Sequence, residues 1–140
     1  MLKKTDFEGR SKTERNDCVV RAFTMATGKP YQEIYTMFEK AGRKRNCGTP
    51  TSISWPIAEQ LGFERITLPK PMTFKKFAEI APDEIIVGRI ARHAFAMRKN
   101  EVLDYGGIKG GSRVTWYFRK KPTPQIVYDM TPKGQYLLPL

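Results

Sequence analysis

The spacing of hydrophobic residues changes partway along the chain, and this change constrains the fold more than any other feature of the sequence. Before about residue 80, apolar residues recur at intervals of three and four, as in Val19, Ala22, Phe23 and Ala26. After that point they form short runs separated by turn residues. Helices that come first and strands that come second are typical of an α+β fold with an antiparallel sheet.

The same pattern predicts where the individual elements lie. Asn16 or Asp17 can cap a first helix that ends at about Thr27, where Gly28 supplies the stop, and Cys18 then lies in the first helical turn. Three more helices are expected over residues 30–41, 52–61 and 73–80, and strands are expected over residues 64–68, 83–89, 92–98, 101–105, 114–119 and 125–128.

Length and composition favour one globular domain. The chain has 140 residues, of which 40% are hydrophobic and 28% are charged, so we expect a single domain over residues 1–140 with residues 1–13 as a loosely packed arm. No apolar run approaches the roughly 18 residues of a membrane span, and the first residues lack the apolar core of a secretory signal. We therefore expect a cytoplasmic protein with no membrane partner and two free thiols.

One cysteine and the single histidine suggest nucleophilic chemistry. A helix N-terminus favours a thiolate, because the helix dipole and the free N–H groups attract negative charge, and Cys18 occupies such a position. A cysteine nucleophile needs an imidazole that exchanges protons with the reacting groups, and a third side chain that orients the imidazole. His93 is the only histidine, and Asp104 on the next expected strand is the candidate for the third position.

The length of one turn decides whether His93 and Asp104 can meet. If residues 99 and 100 form a two-residue turn, Arg98 lies opposite Glu101, and His93 and Asp104 become diagonal neighbours on one face of the sheet. A three-residue turn would place them on opposite faces.

Several short runs of the chain resemble small papain-like cysteine peptidase domains, many of which bacteriophages encode. The runs are ERNDCVVRA at residues 14–22, ATGKPY at 26–31, AGR at 41–43, GT at 48–49 and HAFAMRKNEVLD at 93–104. The resemblance extends over roughly residues 14–105. It implies a papain-like fold with Cys18 as nucleophile, His93 as acid and base, and Asp104 as the residue that orients the imidazole.

The oxyanion hole is where this sequence departs from the papain pattern. The Cys-Gly-Ser-Cys-Trp type of signature found in larger relatives is absent, and Lys12 stands where a glutamine often completes the oxyanion hole. Our candidates for that role are Asn16 and the backbone N–H of Cys18, because amide donors can bind a tetrahedral oxyanion.

Cys47 is the alternative nucleophile. The basic residues 43–45 surround it with positive charge that favours a thiolate, but its loop has no evident histidine partner, and it is otherwise an ordinary loop thiol. Cys18, Cys47 and His93 are the right residue types for zinc, yet no close Cys-x-x-Cys pair is present. We expect no metal and no cofactor.

The chain also carries a large excess of positive charge. Its 25 lysines and arginines outnumber 14 acidic residues and give a formal net charge of +11, which attracts polyanions non-specifically. Aromatic residues beside cations can stack on bases, although in a strand they more often face a core. The candidates for a weak nucleic-acid interaction are Arg43, Lys44, Arg45, Arg119, Lys120 and Lys121.

These features lead to two expectations of different kinds. The first is a papain-like cysteine peptidase or amidase that cleaves a peptide or protein substrate, or transfers its acyl group, through the triad of Cys18, His93 and Asp104. Transferases and deamidases use the same chemistry. The alternative is a catalytically silent papain-like binding module, a phage protein that acts on a host protein or on nucleic acid. A structural virion component is a third alternative, and the sequence leaves the oligomeric state open.

Overall fold

The computed structural model describes residues 7–11, 13–103 and 108–122 with their side chains, and the backbone of residues 126–128 and 137–139. It confirms the α+β class. The helices are α1 (Cys18–Thr27), α2 (Tyr31–Lys40), α3 (Thr51–Gln60) and α4 (Phe74–Ile80). The strands are β1 (Phe63–Thr73), β2 (Ile86–Ile90), β3 (His93–Arg98), β4 (Glu101–Val102), β5 (Arg113–Lys120), β6 (Ile126–Tyr128) and β7 (Leu137–Pro139). The first five form one antiparallel sheet in the order β1-β5-β2-β3-β4, and β6 pairs with β7.

The helices begin and end where local chemistry predicts. Gly28 adopts a φ of 71° after α1, and its N–H bonds to the carbonyl oxygen of Thr24 at 3.0 Å. Pro30 precedes α2, where a fixed φ and a missing N–H cost nothing. The hydroxyl of Thr73 accepts a hydrogen bond from the Lys76 N–H at 3.3 Å and caps α4. Among the described residues, no helix is long and apolar enough to cross a membrane.

Strand β1 is longer than the sequence predicts. It continues from Phe63 to Thr73 through Pro69 and Pro71, and its pairing with β5 is interrupted between Thr67 and Met72. A proline cannot donate a hydrogen bond to a neighbouring strand, so it is tolerated at the edge of a sheet and at irregularities. Strand β1 is an edge strand, which explains why the two prolines do not end it.

The sheet separates two hydrophobic clusters. Buried residues on one face, including Ala94 and Ala96 of β3, pack with α1, α2 and α3. On the other face Phe95 and Met97 pack with Phe77 of α4. This alternation along β3 turns Ala94 toward α1 and determines which side chains can share a surface with Cys18.

Part of the N-terminal segment is packed against the domain. Phe7 is 6% exposed and belongs to the cluster around α1, with its ring 6.0 Å from that of Tyr31. Phe7 and the Arg10 side chain are packed against the domain, whereas Glu8, Gly9, Ser11 and Thr13 are exposed. One aromatic side chain in a polar stretch is enough to anchor it at that point. Residues 1–6 and Lys12 lie outside the described residues, so the arm over residues 1–13 stays a prediction.

Candidate active site

Cys18 is the first residue of α1 and lies against strand β3. Its Sγ accepts a hydrogen bond from the backbone N–H of Ala94, with an N···S distance of 3.4 Å. Ala94 directly follows His93, the first residue of β3. The fold thus brings the helix N-terminus and the strand that carries the only histidine together across 76 positions. Cys18 is partly exposed, so its thiol borders solvent.

His93 is placed by the hairpin between β2 and β3. It pairs with Ile90, and Arg92 in the turn between them adopts a φ of 62°. The imidazole stacks on the ring of Phe95, with centroids 6.2 Å apart and planes inclined by 28°. In the described part of the chain, the hydrogen bond at Sγ comes from the Ala94 N–H and not from the imidazole. The backbone of His93 is thus one peptide unit from the group that binds the thiol, while its ring lies with Phe95, which belongs to the cluster on the other face of the sheet from Ala94.

Asp104 lies outside the described residues. The turn on which its predicted position depends is described, and it has two residues. Arg98 pairs with Glu101, Met97 pairs with Val102, and the Leu103 N–H donates to the carbonyl oxygen of Ala96 at 2.9 Å. The register that would make Asp104 a diagonal neighbour of His93 is therefore present up to Leu103.

Asp17, the residue before Cys18, is the centre of a buried polar network. Its carboxylate is fully buried, and it accepts hydrogen bonds from Arg10 at 2.7 and 3.0 Å, from Arg21 at 3.1 Å and from the Tyr31 hydroxyl at 2.8 Å. The sequence predicts Asn16 or Asp17 as a helix cap, and Asp17 does hold that position, but its side chain makes no capping hydrogen bond. The three donors outcompete the helix N–H groups for the carboxylate.

This network fixes the charge state of Asp17. Burial alone would raise the pKa of Asp17, but hydrogen bonds from Arg10 and Tyr31, with the charges of Arg21 and Arg10, outweigh it and lower the pKa from 3.8 to about 2. Burial and the bond to Asp17 raise the pKa of Tyr31 far above its usual range. Two guanidinium groups face one carboxylate, so Asp17 does not place a net negative charge behind Cys18.

Asn16 is locked to a second loop. Its φ is 59°, in the left-handed region, and its side-chain amide donates to the carbonyl oxygen of Asn46 at 2.9 Å. The Arg15 N–H in turn donates to Oδ1 of Asn46 at 2.8 Å. An amide nitrogen carries two hydrogens, so the oxyanion-hole candidate has one N–H engaged in this clamp.

The loop that carries Asn46 is held by a buried ion pair. Glu14 is 3% exposed and Arg43 is 4% exposed, and their side chains meet at 2.8 Å. Glu14 also accepts the Asn46 N–H at 3.0 Å. Arg43, one of the residues predicted to bind nucleic acid, is thus turned inward by a carboxylate 29 positions away. Lys44 and Arg45 are exposed.

The other predicted site residues occupy the surface. Cys47 is exposed and its N–H bonds to the carbonyl oxygen of Lys44 at 3.1 Å, within a tight turn. Both cysteines are free. Arg119 lies between Glu64 at 3.8 Å and Glu84 at 3.5 Å, so its charge is largely balanced. Lys120 and Lys121 are exposed at the end of β5.

Two arginines and two tryptophans form a further feature that sequence reasoning missed. The guanidinium of Arg65 lies 4.4 Å from the ring centre of Trp55 and 5.0 Å from that of Trp116, and the guanidinium of Arg89 lies 5.9 Å from Trp116. We call these four residues the arginine–tryptophan row. The alternating pattern of β5 indicates which face of the sheet Trp116 occupies. Its contacts with Arg65 and Arg89 depend on pairing between strands that are distant in the sequence.

A cleft of about 970 Å³ lies at the C-terminal end of α1, lined in part by Phe7, Met25, Tyr31 and Leu103. Cys18 is at the other end of α1 and does not line this cleft.

No three histidine, cysteine, aspartate or glutamate side chains cluster as metal ligands would within the described ranges. The chain matches no protein-family model, no curated protein and no solved structure. The interpretation of the site therefore depends on its own residues.

Proposed function

We propose that this protein is a papain-like cysteine peptidase or amidase, with Cys18 as nucleophile, His93 as acid and base, and Asp104 as the residue that orients the imidazole. The observation that carries the proposal is the contact of Sγ with the Ala94 N–H at 3.4 Å, directly beside His93. Cysteine-based acyl transfer needs a thiol with an imidazole within reach, and this contact brings the backbone of His93 next to the thiol.

In the proposed mechanism Cys18 reacts as a thiolate, which nearby N–H donors would stabilise. The first N–H groups of a helix have no acceptor within the helix and attract negative charge. The Ala94 N–H adds a donor aimed at the sulfur, and a hydrogen bond to the charged form stabilises that form. Arg10 and Arg21 neutralise Asp17, so the adjacent carboxylate does not oppose ionisation.

The reaction then proceeds in two balanced steps. The Cys18 thiolate attacks the substrate carbonyl carbon, a C–S bond forms, and the carbonyl oxygen becomes an oxyanion that the Cys18 N–H and the second amide hydrogen of Asn16 bind. Collapse breaks the C–N bond, and the amine leaves with a proton from the His93 imidazolium. Water, deprotonated by His93, attacks the thioester, and the acid and the thiolate are released.

A silent binding module is the second candidate, and two observations favour it. The Asn16 amide already donates to Asn46, and the His93 ring stacks on Phe95, whose cluster lies on the face of the sheet away from Ala94. Both fit a site that is retained but not used. A binding module keeps its activity when Cys18 is replaced by alanine, whereas a peptidase or amidase loses turnover entirely.

Alkylation by iodoacetamide tests the proposal without a known substrate. Cys47 is exposed and serves as the reference thiol in the same molecule. An activated Cys18 should be alkylated at least about tenfold faster than Cys47 at pH 6. At that pH an ordinary thiol, whose pKa is about 8.5, is almost fully protonated. Peptide mass spectrometry of the folded protein separates the two rates.

The control variants isolate the role of the imidazole. His93→Gln should slow Cys18 alkylation at pH 6 and leave Cys47 unchanged, whereas Arg92→Gln, which removes a charge beside His93, should have little effect. Equal rates at the two thiols, or a Cys18 rate that His93→Gln does not alter, would contradict the proposed pairing.

A further inference from the structure

The arginine–tryptophan row lies on the same face of the sheet as Cys18. Arg89 pairs directly with Ala94, whose N–H binds Sγ. The register of β2 with β5, in which Val87 pairs with Phe118 and Gly88 with Tyr117, continues so that Arg89 faces Trp116. Directly opposed residues share a face. The sheet face that Cys18 contacts at Ala94 therefore continues to Arg89 and then to Trp116.

The two arginines of the row are held in place by aromatic rings. Arg65 lies over both Trp55 and Trp116, and Arg89 lies over Trp116. A cation–π contact with an indole holds a guanidinium near the ring and leaves it N–H groups with which to bind a ligand. Both arginines are partly exposed, and Trp55 is 39% exposed, so the row borders solvent.

No carboxylate within the described ranges forms an ion pair with Arg65 or Arg89. Other arginines of this basic protein do have such partners: Asp17 binds Arg10, Glu14 binds Arg43, and Glu64 and Glu84 flank Arg119. Arg65 and Arg89 are thus two cations on the same face of the sheet as the candidate nucleophile, without a carboxylate partner in the part of the chain that the structure describes.

We propose that Arg65 and Arg89 bind a carboxylate side chain of an acidic peptide substrate that Cys18 attacks. This inference deepens the proposed function and rests on it. Adjacent strands are about 4.8 Å apart, so the backbones of Arg89, Trp116 and Arg65 lie about 5, 10 and 14 Å across the sheet from strand β3, where the Ala94 N–H binds the thiol. An extended peptide advances about 3.3 Å per residue, which places the bound glutamate or aspartate about two or three residues from the attacked carbonyl.

The ring contacts favour an acidic peptide over a nucleic acid. Bases bind single-strand proteins by stacking on open aromatic faces. In the row, Arg65 and Arg89 lie over the ring of Trp116, and Arg65 also covers a face of Trp55. The planar fork of a guanidinium matches both oxygens of a carboxylate, and such bidentate pairs are among the stronger hydrogen bonds in proteins.

The test uses two thiol reagents that differ only in charge. Bromoacetyl-aminohexanoate carries a carboxylate on a flexible tether that spans about 10 Å, which is also about the separation of strands β3 and β5. The matching primary amide is neutral. The ratio of the carboxylate rate to the amide rate is measured at Cys18 and at Cys47 in the same protein. We expect this ratio to be about tenfold higher at Cys18, as a charged hydrogen-bonded contact predicts.

Variants show whether the row is responsible. Arg89→Gln and Arg65→Gln should each lower the ratio at Cys18 severalfold, and the Lys variants should retain part of it because the charge remains. Arg119→Gln is the matched control, since it removes the same charge from the same sheet at a residue already flanked by two carboxylates. Near-ultraviolet circular dichroism of the tryptophans verifies that each variant is folded.

The outcomes separate this inference from the proposed function. Bromoacetyl reagents label any thiol at pH 8, so the ratio can be measured even if iodoacetamide shows Cys18 to be an ordinary cysteine. Equal ratios at Cys18 and Cys47, or a ratio that falls equally in Arg119→Gln, would overturn the carboxylate site. A thymidine decanucleotide is the second probe. If it quenches tryptophan fluorescence in a way that depends on Arg65 and Arg89, and the ratios at the two thiols are equal, the carboxylate site is overturned as well.

Discussion

Replacement of Asp17 by asparagine removes the charge at the centre of the network beside Cys18. Asparagine keeps the size of the side chain but removes the Asp17 carboxylate from the guanidinium groups of Arg10 and Arg21. Those side chains are 3% and 4% exposed, so water does not replace the lost partner. Removing one partner of a buried ion pair typically destabilises a protein by about 3–5 kcal/mol.

The pKa of Asp17 gives an independent figure and a pH dependence. Lowering the pKa from 3.8 to about 2 corresponds to about 2 kcal/mol of stability. A depressed pKa means that the folded state prefers the ionised carboxylate. The contribution is therefore complete above about pH 5 and is lost as the pH falls through 3.8 toward 2, to below about 1 kcal/mol at pH 2.5.

Urea unfolding of the two proteins at several pH values checks this reasoning. At pH 7 we expect Asp17→Asn to lower the free energy of unfolding by at least about 2 kcal/mol. The difference between the proteins should shrink steadily between pH 5 and pH 2.5. Asp83→Asn is the control, because Asp83 is an exposed carboxylate that also binds basic side chains, Arg98 at 2.7 Å and Lys99 at 3.4 Å. Asp83→Asn should therefore lower the free energy of unfolding far less than Asp17→Asn does.

A difference between wild type and Asp17→Asn that is the same at pH 7 and pH 2.5 would refute the argument. It would mean that the destabilisation comes from altered packing and not from the loss of the charge. An Asp83→Asn variant as unstable as Asp17→Asn would refute it too, since burial is what distinguishes the two carboxylates.

Two further predictions concern packing and the loop beside the site. Gly88→Ala should lower the free energy of unfolding by about 1–3 kcal/mol, since a Cβ there would collide with the fully buried ring of the paired Phe95; unfolding in urea measures this, and an unchanged midpoint would contradict it. Glu14→Gln should destabilise by a few kcal/mol, since Arg43 loses its buried partner, and should speed hydrogen exchange at the Asn46 N–H; unchanged protection there would show that Glu14 does not hold the loop.

Much of the helical half could be predicted because its signals are local. Gly28, Pro30 and Thr73 act within one turn of the helices that they delimit, and each does what its chemistry predicts. The two-residue turn after Arg98 is also a local signal, because a short loop fixes the register of the two strands that it joins. Strand β1 was predicted too short because the tolerance of its prolines depends on being at the sheet edge.

The polar groups of the candidate site could not be predicted in the same way. Arg21 is four positions after Asp17 on a helix, which is a local signal for an ion pair. Arg10, Tyr31 and the burial of Arg43 depend on how separate segments pack. A basic run such as residues 43–45 normally indicates solvent exposure, and only the distant Glu14 turns its first member inward.

The hydrogen bond between Sγ and the Ala94 N–H joins parts of the chain that are made at different times. A ribosome that adds about 5–20 residues per second takes roughly 4–15 s to pass from residue 18 to residue 94. During that interval α1 has no β3 to pack against, and Cys18 lacks both the N–H at its sulfur and the histidine beside it. The contact between Cys18 and Ala94 therefore cannot form until the chain has been made past residue 94.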